Sequence, residues 1–327
     1  MKTVRFFALL LAVCMALCSA AFAEEMAPAQ TPRLSPTTGL PTDKEYTPYM
    51  VQIDNSGNAR PQLGLSEADV IYEAEIQNGG ATRYTLLFND TMPDAVLPVR
   101  SARIMHADMA ADWNATLVHW GGQQAAGTNV YDYFRKNDLP HIDGISADRT
   151  YFYRTDKRIA PHNVVLKLKE LAASEEYAYS AEVKAPLHFS AENYTKKGEP
   201  VSQVQITYAK AYAPGYKYLP EEGVYQRYYR RELQLDANDA EIRVANMVIM
   251  YADYEYYNWE NDRPVAHLTG ENACKYFIDG MYFEGYWARE SIDGATAFFD
   301  ADGEPVLFKP GKTAVHILRE GKEIIMQ

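Results

Sequence analysis

Cysteine is scarce in this sequence: Cys14, Cys18 and Cys274 are the three in 327 residues. The first two lie in an N-terminal segment that we predict is removed, and the one that remains cannot form an internal disulfide. Standard catalytic and metal-binding patterns are also missing, among them G-x-S-x-G, the P-loop, H-E-x-x-H, the EF-hand loop and paired Cys/His zinc spacing. We therefore predict a fold held together by its hydrophobic core, with no metal and no cofactor.

Positive charge is in short supply. The chain has 32 Lys and Arg against 44 Asp and Glu, a net charge of −12 at pH 7. A negative surface repels phosphate backbones and gives no long-range attraction to anionic lipids, so we expect no nucleic-acid partner. Local basic sites are compatible with this balance.

Apolar runs long enough to cross a membrane are absent. The run at residues 6–17 is shorter than the roughly 20 residues that a spanning helix needs. It follows Lys2 and Arg5 and precedes a small-x-small pattern that ends at Ala23, which is typical of a secretory signal peptide. A membrane anchor is the alternative, and lipid attachment at Cys18 is disfavoured because a large residue precedes it. We predict cleavage after Ala23, export, and a mature chain without a transmembrane span that is soluble or associated with the cell surface.

Prolines and few large apolar residues characterise residues 24–48, a composition that cannot bury enough surface to fold and that predicts a tether. The mature chain of about 300 residues exceeds the usual size of one hydrophobic core, which predicts two domains. A polar stretch at residues 192–200 favours a boundary in that region. We predict an N-terminal domain over residues 49–185 and a C-terminal domain over residues 186–327.

Strand and helix signals alternate in the N-terminal half. The patterns predict a hairpin over residues 70–88 and strands over residues 49–53, 96–99 and 115–120. They also predict one helix that begins after Ser101 and another over residues 164–179. This alternation favours an N-terminal domain of the α/β layered type.

The C-terminal half has short strands and tight turns instead. Its patterns predict strands over residues 201–208, 223–229 and 247–251, with hairpins at the Asp-Gly steps of residues 279–280 and 302–303. The 25 tyrosines fit strands with one wet face, and a carbohydrate-binding surface is the alternative. We predict a mostly antiparallel β C-terminal domain and an overall fold class that is mixed, α+β or α/β.

An anion site is predicted at residues 98–103, where Arg100, Ser101 and Arg103 connect a strand to the start of a helix. Guanidinium groups bind phosphate or carboxylate through paired hydrogen bonds, and a helix N-terminus adds a favourable dipole. Arg83 begins a neighbouring strand and joins this prediction. The alternative is that each arginine pairs with a local acid, for which the candidates are Asp69, Glu73, Asp108 and Asp112.

Titratable residues at predicted strand ends are the candidates for catalysis. Asp54 and Asn55 follow the first strand, and His119 ends another, so they could meet at the edge of a sheet, where ligands commonly bind. Asp54 could act as a base or metal ligand and His119 as an acid or base. The alternatives are a turn-forming aspartate and a histidine buried in the core.

His162 and Glu73 complete the set of candidate acid-base residues. His162 precedes a predicted helix for which Asn163 is a natural N-cap, and both could join the site. Capping alone would explain Asn163, and a surface position would explain His162. Glu73 is a candidate through its place in the predicted hairpin.

Ordered strings along the chain resemble the YerB-like family of bacterial proteins described as lipoproteins. The N-terminal strings are residues 50–55, 59–73, 79–83, 98–103, 119–122 and 160–163, and residues 223–227 and 309–313 resemble the C-terminal domain of that family. The resemblance implies a two-domain extracytoplasmic protein without an established activity. Family members often carry a lipobox, which the sequence around Cys18 does not satisfy.

The hypothesis that the sequence favours is an envelope protein that binds an anionic small molecule or cell-wall component through Arg83, Arg100 and Arg103, without catalysis. Two alternatives stay open. One is an envelope enzyme that acts on phosphate-linked or glycan substrates, and the other is a structural adaptor for an envelope protein partner.

Overall fold

The computed structural model describes residues 32–256 and 263–327. Residues 34–327 form one compact unit. The predicted signal peptide, residues 1–23, and the first part of the predicted tether lie outside the described residues. Within the described part of the chain, no helix has the length and apolar character needed to cross a membrane.

β-Strands dominate the described residues. The helices are α1 (Ile104–Ala111), α2 (Val130–Lys136), α3 (Leu168–Ala172) and a 3-10 helix at Gly57–Ala59. The strands of the N-terminal half are β1 (Tyr49–Asp54), β2 (Val70–Gln77), β3 (Ala81–Phe88), β4 (Thr116–His119), β5 (His141–Asp143), β6 (Phe152–Arg154) and β7 (Val164–Leu166).

Sixteen further strands follow in the described C-terminal half. They are β8 (His188–Phe189), β9 (Glu199–Pro200), β10 (Gln203–Ile206), β11 (Pro214–Leu219), β12 (Val224–Tyr229), β13 (Glu232–Leu233), β14 (Arg243–Val244), β15 (Asn246–Tyr251), β16 (Tyr254–Glu255), β17 (Val265–Ala266), β18 (Gly270–Ile278), β19 (Met281–Arg289), β20 (Ala297–Asp300), β21 (Leu307–Phe308), β22 (Thr313–Leu318) and β23 (Ile324–Met326).

One mixed sheet runs through both halves of the sequence. Its order is β20-β19-β18-β15-β22-β2-β3-β1-β4-β5, with β9 also paired to β19. Strand β22 lies parallel to β15 on one side and to β2 on the other, so the end of the chain joins the two halves. Both faces of this sheet are buried: Val51 and Ile53 contribute to one apolar cluster, and Met50 contributes to the other.

A smaller sheet is built from the C-terminal half. Its order is β13-β12-β11-β10-β23, with β14 also paired to β12, and every pairing in it is antiparallel. The described part of the chain is thus mostly β, and the predicted mixed fold class, α+β or α/β, is met only in its strand content. The α/β layering of the N-terminal half stays a prediction.

The predicted hairpins at residues 70–88 and at Asp279-Gly280 are both present in the structure, and at the predicted Asp302-Gly303 turn Phe299 and Pro305 form an isolated antiparallel bridge. β2 and β3 pair across the turn at residues 78–80, where Gly79 and Gly80 have φ of 92° and 86°. β18 and β19 pair across Asp279 and Gly280, with φ of 52° and 77°. The β18–β19 turn has two residues, and positive φ at both of them is what a type I′ hairpin turn requires.

Two helix predictions need correction. A helix over residues 164–179 is wrong, since residues 164–166 form β7 and α3 covers only Leu168–Ala172. Two consecutive valines favour the extended conformation, and β7 pairs with β6. Asn163 is consequently not an N-cap. The helix after Ser101 exists as α1, but its N-cap is Arg103, whose backbone N–H donates to His106 Nδ1 at 3.1 Å.

Part of the proline-rich segment packs into the compact unit. Ser35, Thr37 and Thr38 are buried. The Thr37 hydroxyl donates to Asp69 Oδ2 at 2.8 Å, and the Ser35 hydroxyl donates to Asp90 Oδ1 at 2.7 Å. These short side chains can be buried because their hydroxyl groups donate hydrogen bonds to carboxylates. A prediction based on the number of apolar residues does not include this effect.

Candidate functional site

A cleft of about 550 Å³ opens where β1 ends and β3 begins. Asp54 closes β1 and lies opposite Arg83 in the register of the β1–β3 pair. The turn between β2 and β3 forms one wall, and residues of the C-terminal half form another. The side chains that carry charge or a ring in its lining are Asp54, Arg60, Arg83, Arg100, Arg103, His162, Tyr212, Tyr229, Arg230 and Arg263.

Positive charge is concentrated in this cleft. Six arginines line it, and Asp54 is the single acidic side chain among the described residues that do so. The chain as a whole carries a net charge of −12. The cleft is thus a local reversal of the charge of the protein, and we refer to it below as the arginine cleft.

Two of the arginines are almost completely buried. Arg83 is 6% exposed and Arg103 is 7% exposed. Arg83 Nη1 donates to the backbone oxygen of Ser101, and Arg103 Nη1 donates to Gln123 Oε1 at 3.2 Å. Arg83 Nε is buried and finds no acceptor within the described residues. Buried N–H donors without a partner are uncommon in folded proteins and are satisfied when a ligand supplies the acceptor.

Neighbouring positive charges make these two guanidinium groups electrostatically unfavourable. Burial, followed by the charge of Arg100, lowers the pKa of Arg83 to about 10. Burial, followed by Arg83, Arg263 and Arg100, lowers the pKa of Arg103 to about 8. Both side chains stay cationic at neutral pH, and a bound anion would relieve their mutual repulsion.

Asp54 orients His162 at the rim of the cleft. His162 Nδ1 lies 2.6 Å from Asp54 Oδ2, and Arg100 Nε lies 3.2 Å from the same oxygen. The Ser56 amide donates to Asp54 Oδ1 at 2.9 Å. Burial alone would raise the pKa of Asp54, but the Ser56 amide, Arg100 and His162 outweigh it and lower the pKa. An ionised carboxylate only accepts hydrogen bonds, so His162 donates the proton on its Nδ1 to Asp54. The other ring nitrogen of His162 is Nε2.

Asn55 connects the cleft to the polar core beneath it. Its side-chain amide contacts Glu73 Oε1 at 2.9 Å, the Thr82 hydroxyl at 2.7 Å and the Tyr212 hydroxyl at 2.7 Å. Its carbonyl oxygen accepts from Arg60 Nε at 3.1 Å. Both polar atoms of the Asn55 side chain therefore form hydrogen bonds within the protein, and these bonds hold the wall of the cleft in place.

Glu73 lies in the core and does not line the cleft. It is fully buried, and its Oε2 lies 2.7 Å from Arg227 Nη2, which is fully buried as well. Burial alone would raise the pKa of Glu73, but Arg227 and His316 outweigh it and lower the pKa. Glu73 is on β2 and Arg227 is on β12, so this ion pair connects the central sheet to the smaller one.

His119, Asn163 and Ser101 are placed apart from the lining. His119 is buried, with Nε2 3.1 Å from His141 Nδ1 and its ring stacked on Phe134, and burial lowers its pKa to about 4. Asn163 Oδ1 accepts from Arg154 Nη1 at 2.6 Å. Ser101, which follows the lining residue Arg100 in the chain, contributes its backbone oxygen to Arg83.

The structure brings together Asp54, Asn55, Arg83, Arg100, Arg103 and His162 from the residues proposed on sequence grounds. Sequence reasoning missed three arginines and two tyrosines of the lining, namely Arg60, Arg230, Arg263, Tyr212 and Tyr229. The Arg60 guanidinium lies 4.6 Å from the Tyr212 ring centre and 4.3 Å from that of Tyr229. These residues come from distant parts of the chain and carry no local motif.

The described residues contain no cluster of three or more His, Cys, Asp or Glu side chains suited to a metal ion. Asp54 and His162 form a pair that lacks a third such ligand. The lining of the cleft is suited to anion recognition by its guanidinium groups, and it also presents the imidazole of His162.

Comparisons with known proteins identify relatives over most of the chain. The model described as "Protein of unknown function (DUF3048) N-terminal domain" matches residues 37–181, and the one described as "Protein of unknown function (DUF3048) C-terminal domain" matches residues 204–315. The "Putative lipoprotein YerB" of Bacillus subtilis (strain 168) is 26% identical over 294 residues, which are 87% of this chain and 86% of that protein. The crystal structure of YerB protein from Bacillus subtilis has a TM-score of 0.76 and 25% identity, covering 90% of this chain and 99% of that one.

Proposed function

The chain belongs to the DUF3048 family of proteins of unknown function, and on that premise we propose that it is an extracytoplasmic protein that binds an anionic ligand in the arginine cleft. The resemblance to YerB-like proteins predicted from the sequence is confirmed. The name of the Bacillus relative describes that protein as a lipoprotein, which supports a position outside the cytoplasm for this chain as well. The secretory pattern of residues 1–23 supports the same position.

One observation carries the proposal: six arginines and one carboxylate line the same cleft of an acidic protein. Concentrating like charges costs free energy, since each buried cation loses hydration and repels its neighbours. A protein whose only task was to fold could place apolar or paired side chains there at lower cost. A ligand of opposite charge offsets that cost, which supports binding as the role of the cleft.

Thermal unfolding of the mature chain, from Glu24 onward, with a panel of phosphates and carboxylates tests the proposal. An anion present at 100 times its dissociation constant stabilises the folded state by about 2.7 kcal/mol, which raises the midpoint by a few degrees. We expect such a rise to shrink as sodium chloride is added, because salt screens charge.

Two matched variants separate the cleft from general surface charge. Arg263→Ala removes an exposed arginine of the lining, and Arg135→Ala removes an exposed arginine on α2 that pairs with Asp132. We expect the stabilisation to fall in Arg263→Ala and to be kept in Arg135→Ala. Equal behaviour of the two variants, or no stabilisation by any anion, would refute binding in the cleft.

A second candidate function, catalysis, is favoured by the contact between His162 and Asp54. A histidine oriented by a carboxylate is a common general base, and this one lines the arginine cleft. Turnover of phosphate esters that disappears in His162→Asn while anion binding persists would support an enzyme. Binding without turnover in the unmodified chain would leave recognition as the function.

The adaptor alternative has little support on the surface of the C-terminal half. Among its described residues, the large apolar side chains that are well exposed are Ile325 and Met326 at the C-terminus. Isolated exposed apolar residues are normal, and a docking surface is expected to present a larger contiguous patch.

A further inference from the structure

We infer that the ligand of the arginine cleft carries a diphosphate group, an inference that rests on the proposed anion-binding function. It is drawn from four arginines within the cleft, Arg83, Arg100, Arg103 and Arg263, which we call the four-arginine cluster. All four side chains line this one cleft, and Arg83 and Arg103 are almost completely buried there.

Within the described residues, few of the donors of this cluster bond to the protein. A guanidinium group has five N–H donors. Arg83 uses Nη1 for the Ser101 carbonyl, and Arg103 uses Nη1 for Gln123. Arg100 Nη1 contacts the Pro161 carbonyl at 3.3 Å, and its Nε lies 3.2 Å from Asp54 Oδ2. Buried Arg83 Nε has no acceptor within the described residues. The cluster can therefore donate to many more oxygen atoms than one carboxylate offers.

Charge matching favours two linked phosphates over one. Four arginines and Asp54 give the cluster a formal charge of about +3. A single phosphate ester carries about −1.5 to −2 at neutral pH and leaves positive charge uncompensated in a largely buried site. Two phosphates joined through one oxygen carry roughly −3, which neutralises the cluster.

The dimensions of the cleft agree with a ligand larger than one ion. Its volume of about 550 Å³ falls within the roughly 300–1,000 Å³ typical of sites for organic ligands. Beyond the cluster the lining continues with Arg60, Tyr229 and Arg230. Arg60 and Arg230 lie over Tyr229 at 4.3 and 5.2 Å from its ring centre. This end offers room and an aromatic surface for the group esterified to the diphosphate.

Titration calorimetry of the mature chain tests the inference with four probes: orthophosphate, pyrophosphate, uridine diphosphate and geranyl diphosphate. We expect pyrophosphate to bind at least about tenfold more tightly than orthophosphate, a difference of about 1.4 kcal/mol. Uridine diphosphate and geranyl diphosphate distinguish the two sources from which the diphosphate group could come. Tighter binding of uridine diphosphate indicates a nucleotide, and tighter binding of geranyl diphosphate indicates a lipid carrier.

Variants assign the preference to the cluster. We expect Arg263→Ala to weaken pyrophosphate binding about tenfold and to reduce its preference over orthophosphate, whereas Arg135→Ala keeps both. Arg263 is exposed, so its loss does not threaten folding. Equal affinity for the two inorganic anions overturns the diphosphate inference and leaves anion binding intact. Absence of binding by all four probes overturns the proposed function itself.

Discussion

The substitution Arg227→Met should show how much the buried ion pair beneath the arginine cleft contributes to the free energy of unfolding. Arg227 and Glu73 are both fully buried, and their closest atoms are 2.7 Å apart. In Arg227→Met the Glu73 carboxylate keeps hydrogen bonds from the Tyr212 and Thr82 hydroxyls but loses its compensating charge. Breaking a buried pair in this way costs about 3–5 kcal/mol. That is a large part of the roughly 5–15 kcal/mol by which folded proteins are stable.

The pH dependence of this cost has a definite sign. In the unmodified chain the pKa of Glu73 is lowered in the folded state, because Arg227 and His316 outweigh burial, so its contribution to stability is lost as the pH falls below its unfolded value. Without Arg227, burial dominates and we expect the folded pKa to rise above that value. Such a group destabilises the fold as the pH increases. The cost of Arg227→Met should consequently be larger at pH 7 than at pH 4.5.

Urea unfolding followed by tyrosine and tryptophan fluorescence measures this cost. The control is Arg243→Met, which breaks the exposed contact of Arg243 with Glu222 and should cost less than about 1 kcal/mol. The double variant Glu73→Gln with Arg227→Met should be more stable than Arg227→Met alone, because no charge is left buried. A cost below 1 kcal/mol for Arg227→Met, unchanged between the two pH values, would refute this reasoning.

Two further predictions concern the β2–β3 turn and a buried histidine. Gly80→Ala should destabilise the fold more than Gly79→Ala, by roughly 1–3 kcal/mol in urea unfolding. Both positions have positive φ, but a Cβ at Gly80 would lie 2.7 Å from the Tyr208 backbone oxygen, whereas one at Gly79 meets no atom within 4 Å. Equal losses of stability in the two variants would show that the positive φ, and not the contact with Tyr208, determines the effect. The ring of His119, whose pKa burial lowers to about 4, should not titrate above pH 5 by NMR, and its burial should reduce stability as the pH falls below about 6.5. A midpoint near 6.5 would contradict the buried position of His119.

Local signals in the sequence predicted the hairpins, because a short turn with positive φ is specified by the residues within it. The β2–β3 and β18–β19 pairs are of this kind. The pairing of β22 with β2 is not, since it joins strands separated by more than 200 residues and depends on the whole sheet. The helix predicted over residues 164–179 failed for a related reason. Bonds from Val96 and Val99 to the backbone of Leu166 and Val164 hold that segment extended.

The candidate site, like the fold, could be predicted from the sequence only in part. Asp54 ends β1, and Arg83 lies opposite it near the start of β3. Arg100 and Arg103 precede α1, and residues at such positions converge when strands are neighbours in a sheet. The arginines at positions 60, 230 and 263 reach the cleft through tertiary packing that no local pattern records. Glu73 and His119 have residue types suited to catalysis, but burial and satisfied hydrogen bonds assign them to the core.

A crystal structure of the mature chain soaked with pyrophosphate tests the central claim most directly, because it locates the anion. The account predicts phosphate oxygens within about 3 Å of Arg83 Nε and of the Arg103 guanidinium. It also predicts that the same soak of Arg263→Ala shows weaker density at that position. Pyrophosphate bound only outside the arginine cleft, or a cleft that holds no anion under saturating conditions, would contradict the account.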